Sequence, residues 1–299
     1  MMKHWLSAMR LRTLPLALSC VLSGSAIALI EGSFNGWVFV LTILTTILLQ
    51  VLSNFSNDLG DYKNGADNAG RIGPQRAVQS GAISADKMKN AAIVTALLAL
   101  VSGVLLLYVS LYNTGYAAAA IVMLLLGIGS IGAAVKYTAG KNPYGYRGLG
   151  DVFVFIFFGL VGVIGSAFLQ TKAVELWYAL PALTIGTLST MVLNLNNMRD
   201  RINDKKSGKK TLVVRMGGDY AKLYHVALFM VALISALAMC VHFEMKTGLM
   251  LIPFIILALH VKKVMATKHE REYDPELKKV AISTFLVSIL LLISSLIFI

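Results

Sequence analysis

Long apolar stretches recur along the whole 299-residue chain, and they restrict its fold more than any other feature of the sequence. The hydrocarbon core of a bilayer is about 30 Å thick, and a helix of roughly 20 apolar residues crosses it. Only 14% of the residues are charged, whereas about 25% is usual for a soluble domain. The sequence therefore predicts an all-α polytopic membrane protein with nine transmembrane helices, at approximately 14–30, 36–56, 89–111, 116–136, 151–170, 177–196, 222–242, 247–263 and 280–299.

The basic residues are distributed unequally between the two sides of these nine spans. Of 27 Lys and Arg residues, 25 fall in the N-terminal segment and in the loops on the same side, and only Lys172 and Lys246 fall on the other. Cytoplasmic loops carry such an excess of positive charge. We therefore expect a cytoplasmic N-terminus, and the net charge of +12 needs no nucleic-acid partner to explain it.

Two dense polar clusters begin at the cytoplasmic ends of the second and sixth spans. The first motif covers residues 54–67 and the second covers residues 194–204. Each contains Asn-x-x-x-Asp, at Asn57/Asp61 and at Asn196/Asp200, and the second continues to Asp204. Helical residues three or four apart share a face, so each motif directs several oxygen ligands one way. Magnesium prefers oxygen ligands shared with substrate phosphates, and the two motifs are therefore predicted to hold a diphosphate between them.

The spacing of the motifs also predicts an internal repeat. Each motif ends an even-numbered helix on the same face, and ordinary solvated helix ends explain such a coincidence poorly. We expect one transmembrane domain over residues 1–299, built from two four-helix halves (1–148 and 149–264) and a ninth helix (265–299). Such repeats often place a site at their junction.

Four segments then make the chain resemble a known family, the UbiA superfamily of intramembrane prenyltransferases. The resemblance covers essentially the whole chain. Within the family, the 1,4-dihydroxy-2-naphthoate prenyltransferase branch is the most similar, on residues 57–67 (NDLGDYKNGAD), 73–76 (GPQR), 137–151 (YTAGKNPYGYRGLGD) and 196–217 (NNMRD through GKKTLVVRMG). One departure concerns Asp67, which lies six residues after Asp61, whereas many members have a spacing of four.

The resemblance implies a reaction and a site. A polyprenyl group would move from polyprenyl diphosphate to 1,4-dihydroxy-2-naphthoate, with loss of the ring carboxylate, in a bacterial cytoplasmic membrane whose lipids receive the prenyl tail. Mg2+ would assist the departure of diphosphate, with metal ligands from Asp58, Asp61, Asp200 and Asp204, then Asp67, and with support from Asn57 and Asn196. Cations facing the diphosphate would come from Arg76, Lys141, Arg147 and Lys209.

Aromatic side chains would shield the allylic cation, and Tyr137 is the preferred candidate. Glycines at 159, 162 and 165 on the fifth span, and at 127, 129 and 132 on the fourth, are expected to allow close helix packing. The five histidines show no ligand-like spacing, and we assign them no catalytic part.

Two other functions remain compatible with the sequence. Another enzyme of the same superfamily, such as a 4-hydroxybenzoate or haem-O type transferase, would keep the fold and the metal chemistry with a different acceptor. An ion-coupled transporter would use membrane Asp and Asn residues differently, since transporters usually bind near the bilayer midplane rather than at helix ends.

Overall fold

The protein is an all-helical bundle in the computed structural model, which describes residues 2–67, 72–140 and 142–298. Within these ranges nine helices are long and apolar enough to cross a membrane, and no residue lies in a strand. Numbered as membrane helices 1 to 9, they are Leu14–Ile30, Gly36–Lys63, Ala85–Ser110, Ala117–Lys136, Gly150–Thr171, Ala179–Lys206, Gly218–His242, Ile252–Ala266 and Tyr273–Ser295. The predicted fold class is confirmed, while the division into two four-helix halves stays a prediction.

Membrane helices 2 and 6 are longer than their apolar stretches. Each has 28 residues, which corresponds to about 42 Å at 1.5 Å per residue, well beyond a hydrocarbon core of about 30 Å. Both polar motifs therefore begin inside the last turns of continuous helices. Helical geometry fixes the relative directions of their side chains.

Membrane helix 6 lies at the centre of the bundle, against helices 5, 7 and 9. Helix 6 approaches helix 5 closely at Gly159, where there is no room for a side chain. A Cβ built at Gly159 would lie 2.8 Å from the carbonyl oxygen of Ala182 and 3.1 Å from Cα of Gly186. Helix 5 is π-helical over Phe155–Ile164, a feature often found at functional sites. The packing role expected for Gly159 is confirmed.

Membrane helix 4 is loosely packed. Its main contacts are with helices 2 and 3, a few of its residues join an apolar cluster with Leu169 of helix 5, and none of its residues is fully buried. No atom lies within 4 Å of a Cβ built at Gly127, Gly129 or Gly132, so the prediction that these glycines pack against a neighbour is wrong. The apolar face of this helix instead forms one wall of an internal cavity.

Candidate active site

A cavity of about 640 Å³ extends from the motif-bearing ends of helices 2 and 6 into the apolar part of the bundle. Its end nearest the motifs is lined by charged and amide side chains. Its deeper part is lined by apolar ones from helices 3, 4 and 5, including Leu107, Met123, Leu126, Phe157 and Val161. The cavity thus joins a site for a charged group to a path for an apolar chain.

The two predicted motifs meet at this charged end of the cavity. Asp61 from the first motif lines it, as do Asp200 and Asp204 from the second. A direct hydrogen bond also links the motifs, because Asn203 Nδ2 donates to the carbonyl oxygen of Ala66 over 3.1 Å. The candidate ligands Asn57 and Asn196 line the same space. Side chains about 140 residues apart therefore form one site.

Lys209 lies between the carboxylates of both motifs. Its Nζ is 3.0 Å from Asp61 and 3.8 Å from Asp204. Burial alone would lower the pKa of Lys209, but attraction by Asp61 and Asp204 outweighs it and holds the pKa above its ordinary value. The ammonium group therefore stays charged at neutral pH, as the predicted role next to a diphosphate requires.

Tyr146 completes the surroundings of Asp61. Its hydroxyl donates to Asp61 Oδ1 over 2.7 Å, and Lys209 Nζ lies 4.6 Å from the centre of its ring. Burial raises the pKa of Tyr146, and the charge of Asp61 raises it further. The phenol therefore remains protonated and acts as a donor. In the sequence, Tyr146 stood out only as part of the 137–151 segment that carries the family resemblance.

The second motif contains its own internal cation. Arg199 is fully buried, and its Nε and Nη2 donate to the two carboxylate oxygens of Asp200 over 3.0 and 2.7 Å. Its Nη2 also donates to Asn196 Oδ1 over 2.8 Å, and its Nη1 donates to Asp274 Oδ1 over 2.6 Å. Asp274 lies in the first turn of helix 9, so Arg199 links that helix to the motif. The link was not predicted from the sequence, since Arg199 was counted only among the basic residues on the motif side of the membrane and Asp274 belongs to no motif.

Asp58 faces away from the cavity. Its oxygens accept hydrogen bonds from the backbone N–H groups of Ala77 and Val78, at 3.2 and 3.3 Å. The predicted role of Asp58 as a metal ligand therefore does not fit its position, whereas a role in fixing the loop after helix 2 does. Arg76 precedes Ala77 directly and lines the cavity, where its guanidinium lies 3.8 Å from Asp61 and 3.7 Å from Asp67. Asp67 contacts this guanidinium but does not line the cavity.

One predicted cation lies away from the site. Arg147 is exposed and does not line the cavity; its carbonyl oxygen accepts a hydrogen bond from Arg215 Nη2 over 2.6 Å. The prediction that its side chain faces the site is therefore wrong, since that exposed side chain lies outside the cavity lining. Lys141 lies outside the described residues. Three basic residues that sequence analysis assigned to topology alone do line the cavity, namely Arg10, Arg12 and Lys278.

A row of aromatic rings lines the cavity next to the charged groups, on the side that leads into its apolar part. Tyr137 meets Tyr144 edge to face at 5.3 Å, Tyr144 stacks on Phe153 at 4.1 Å, and Phe157 follows at 6.0 Å. All four residues line the cavity. The structure thus places Tyr137 at the end of this aromatic wall nearest the motifs, where a cation formed beside them would meet ring faces.

The donor set suits a hard cation that shares its ligands with a phosphate. Within the described part of the chain, no three His, Cys, Asp or Glu side chains lie close enough to hold a metal ion by themselves. Magnesium, however, is usually bound through one or two carboxylates together with substrate phosphates and water. Asp61, Asp200 and Asp204 offer carboxylates of this kind, and each now has a basic side chain within 4 Å.

Comparisons with known proteins agree with this geometry. The UbiA prenyltransferase family model matches residues 17–292. A 1,4-dihydroxy-2-naphthoate octaprenyltransferase from Haemophilus influenzae is 42% identical over 97% of this chain and 94% of its own length. One from Escherichia coli is 44% identical over 77% of this chain and 74% of its own length.

Solved structures support the same fold at low sequence identity. A UbiA homologue from Aeropyrum pernix K1 in its apo form superposes with a TM-score of 0.70 and 14% identity, covering 93% of this chain and 97% of its own. A UbiA homologue from Archaeoglobus fulgidus bound to GPP and Mg2+ superposes with a TM-score of 0.65 and 16% identity, covering 97% of this chain and 99% of its own. Taken with the family match over nearly the whole chain, these similarities establish that the protein belongs to the UbiA prenyltransferase family.

Proposed function

We propose that this protein transfers a polyprenyl group from polyprenyl diphosphate to 1,4-dihydroxy-2-naphthoate, with loss of the ring carboxylate, giving the demethylmenaquinone skeleton. The observation that carries the proposal is the single cavity that joins an acidic and basic end to a long apolar wall. A prenyl diphosphate has the same two parts. The names of the relatives with 42% and 44% identity support the naphthoate acceptor.

The reaction requires the allylic C–O bond to break and a C–C bond to form on the naphthoate ring. The bonding pair of the C–O bond leaves with diphosphate, and the ring supplies the electrons of the new bond. The carboxylate departs as CO2, and its bonding pair restores the aromatic ring. Catalysis therefore consists mainly of stabilising the charge on the leaving group.

Three carboxylates would hold Mg2+ at the diphosphate: Asp61, Asp200 and Asp204, with Asn57 and Asn196 beside them. The ion supplies positive charge that neutralises the departing diphosphate. Lys209 and Arg76 line the same end of the cavity and bring fixed cations to it. Asp58 contributes indirectly by holding the backbone next to Arg76, and Asp67 by pairing with the guanidinium.

The aromatic wall and helix 4 would accommodate the prenyl part. Tyr137, Tyr144 and Phe153 exclude water from the allylic carbon and offer ring faces to its positive charge. Farther in, helices 4 and 5 line the cavity without packing firmly against each other. A long tail can pass between them towards the lipid.

The site would lie at the cytoplasmic face of a bacterial inner membrane, with the N-terminus in the cytoplasm. The charge asymmetry supports this orientation, since 25 of the 27 Lys and Arg residues fall on the same side of the predicted spans as the motif loops.

An acceptor assay with the purified protein in lipid nanodiscs tests the proposal. Prenyl diphosphate and Mg2+ are supplied with either 1,4-dihydroxy-2-naphthoate or 4-hydroxybenzoate, and products and released CO2 are measured. We expect a prenylated, decarboxylated naphthalene product and no benzoate product. Prenylation of 4-hydroxybenzoate alone would show that the acceptor is wrong. Solute uptake into proteoliposomes without any prenylated product would show that the protein is a transporter.

A further inference from the structure

Four polar side chains form a buried chain of hydrogen bonds behind the second motif. Asn194 on helix 6 contacts His225 on helix 7, His225 contacts His260 on helix 8, and His260 contacts Glu276 on helix 9. The two histidines and Asn194 are fully buried, and Glu276 is 4% exposed. The surrounding side chains belong to the main apolar core. Buried polar groups in such surroundings are unfavourable unless their hydrogen bonds are satisfied.

The geometry allows one arrangement of the protons. Asn194 Nδ2 lies 3.0 Å from the carbonyl oxygen of Ala221 and 3.2 Å from His225 Nδ1. A carbonyl only accepts, so the amide nitrogen must face it, and His225 Nδ1 accepts the second amide hydrogen. His225 Nε2 then carries the proton and donates to His260 Nε2 over 2.8 Å. His260 Nδ1 therefore carries the proton of that ring and donates to Glu276 Oε2 over 2.6 Å.

The chain ends beside the cation of the second motif. Glu276 lies two residues after Asp274 in the first turn of helix 9, and Asp274 accepts from Arg199 Nη1. The same guanidinium holds both oxygens of Asp200. Arg199 is thus shared between Asp200 and Asp274, and the position of helix 9 decides how it is shared.

We propose that His225, His260 and Glu276 are positioning residues that fix the first turn of helix 9, so that Asp274 draws Arg199 away from Asp200 when a divalent cation binds there. The inference rests on the proposed function, because it assumes that Asp200 is a metal ligand. If the first turn of helix 9 loosens, Asp274 withdraws. Arg199 then pairs with Asp200 alone and competes with the cation.

Binding of Mn2+, a spectroscopic substitute for Mg2+, tests this without relying on turnover. The EPR signal of free Mn2+ gives the dissociation constant of the purified protein. His260→Leu removes both hydrogen bonds, whereas His260→Asn retains an amide N–H near the Nδ1 position, able to donate to Glu276. Asp274→Asn removes the competing charge directly, and His269→Asn alters an exposed histidine as a matched control.

We expect His260→Leu and Asp274→Asn to weaken Mn2+ binding about 10-fold, the lower end for partners that orient metal ligands. The Mn2+ dissociation constants of the His260→Asn and His269→Asn variants should stay within about threefold of the original value, since in both proteins the residue at position 260 still donates a hydrogen bond to Glu276. In turnover assays, the Mg2+ concentration for half-maximal rate should rise in the first two variants while kcat at saturating Mg2+ changes little.

A folded His260→Leu protein with unchanged Mn2+ affinity would overturn the inference. If that variant does not fold, His260→Asn and Asp274→Asn decide: unchanged affinity in Asp274→Asn, or a full 10-fold loss in His260→Asn, overturns it. Absence of any Mn2+ binding by the original protein, both without and with added inorganic diphosphate, would instead refute the proposed metal site, and the inference with it.

Discussion

Replacing Asp61 by Asn should remove nearly all activity and leave the protein folded. Asp61 accepts from Tyr146 and lies 3.0 Å from Lys209 Nζ and 3.8 Å from the Arg76 guanidinium. With an effective dielectric constant of about 20, these two attractions amount to about 5.5 and about 4.4 kcal/mol before desolvation. The amide keeps the size of the side chain and loses both attractions, together with a charge that faces the proposed metal site.

These energies set an upper bound, because water and the remaining carboxylates compensate in part. Removing one preorganised group from a charge-stabilising site usually costs about 3–4 kcal/mol, which corresponds to a 10²–10³-fold loss in kcat. We expect a loss of this size for Asp61→Asn, and for Asp200→Asn as well.

The assay measures single-turnover prenylation in nanodiscs at saturating Mg2+ and prenyl diphosphate, beside a gel-filtration profile of each variant. Asp86→Asn is the matched control, because Asp86 is exposed on the same side of the membrane in the first turn of helix 3. The control should keep full activity. Turnover within tenfold of the original protein in a well-folded Asp61→Asn variant would refute the assignment of Asp61.

Four further predictions follow from the same geometry. Chelation by EDTA should abolish prenylation and added Mg2+ should restore it, whereas activity that persists after dialysis against EDTA would exclude a catalytic metal. Lys209→Met should lower kcat/KM for prenyl diphosphate about 10–100-fold, and Lys209→Arg should lower it much less, since a fixed cation is worth a few kcal/mol beside a forming charge. Gly60→Ala should lower the thermal midpoint by several degrees in a fluorescence melt, because its Cβ would lie 2.8 Å from the carbonyl carbon of Thr138; overpacking of this kind costs about 1–3 kcal/mol. Gly127→Trp should raise KM for long prenyl diphosphates and leave geranyl diphosphate unaffected, since Gly127 lines the apolar wall of the cavity; an equal effect on both chain lengths would contradict the proposed tail path.

The positions of Asp58 and Asp61 show what could and what could not be predicted from the sequence. Asp58 and Asp61 are three residues apart on one helix, and the family resemblance implied a metal-ligand role for both. In the structure Asp61 lines the cavity, while Asp58 accepts from the backbone of a loop that returns about 20 residues later. The direction of that loop depends on tertiary packing, which no local spacing encodes.

The nine membrane helices, the placement of both motifs on one side of the membrane and the meeting of Asn- and Asp-rich segments were readable from the sequence alone. Apolar length and helical periodicity are local properties of the chain, so they can be read without knowledge of the packing. The sharing of Arg199 between Asp200 and Asp274, and the contact of His225 with His260, were decided only by the tertiary structure. Those partners come from different helices and are 35 or more residues apart, apart from the adjacent pair Arg199–Asp200, and their side chains meet because the bundle buries them against one another.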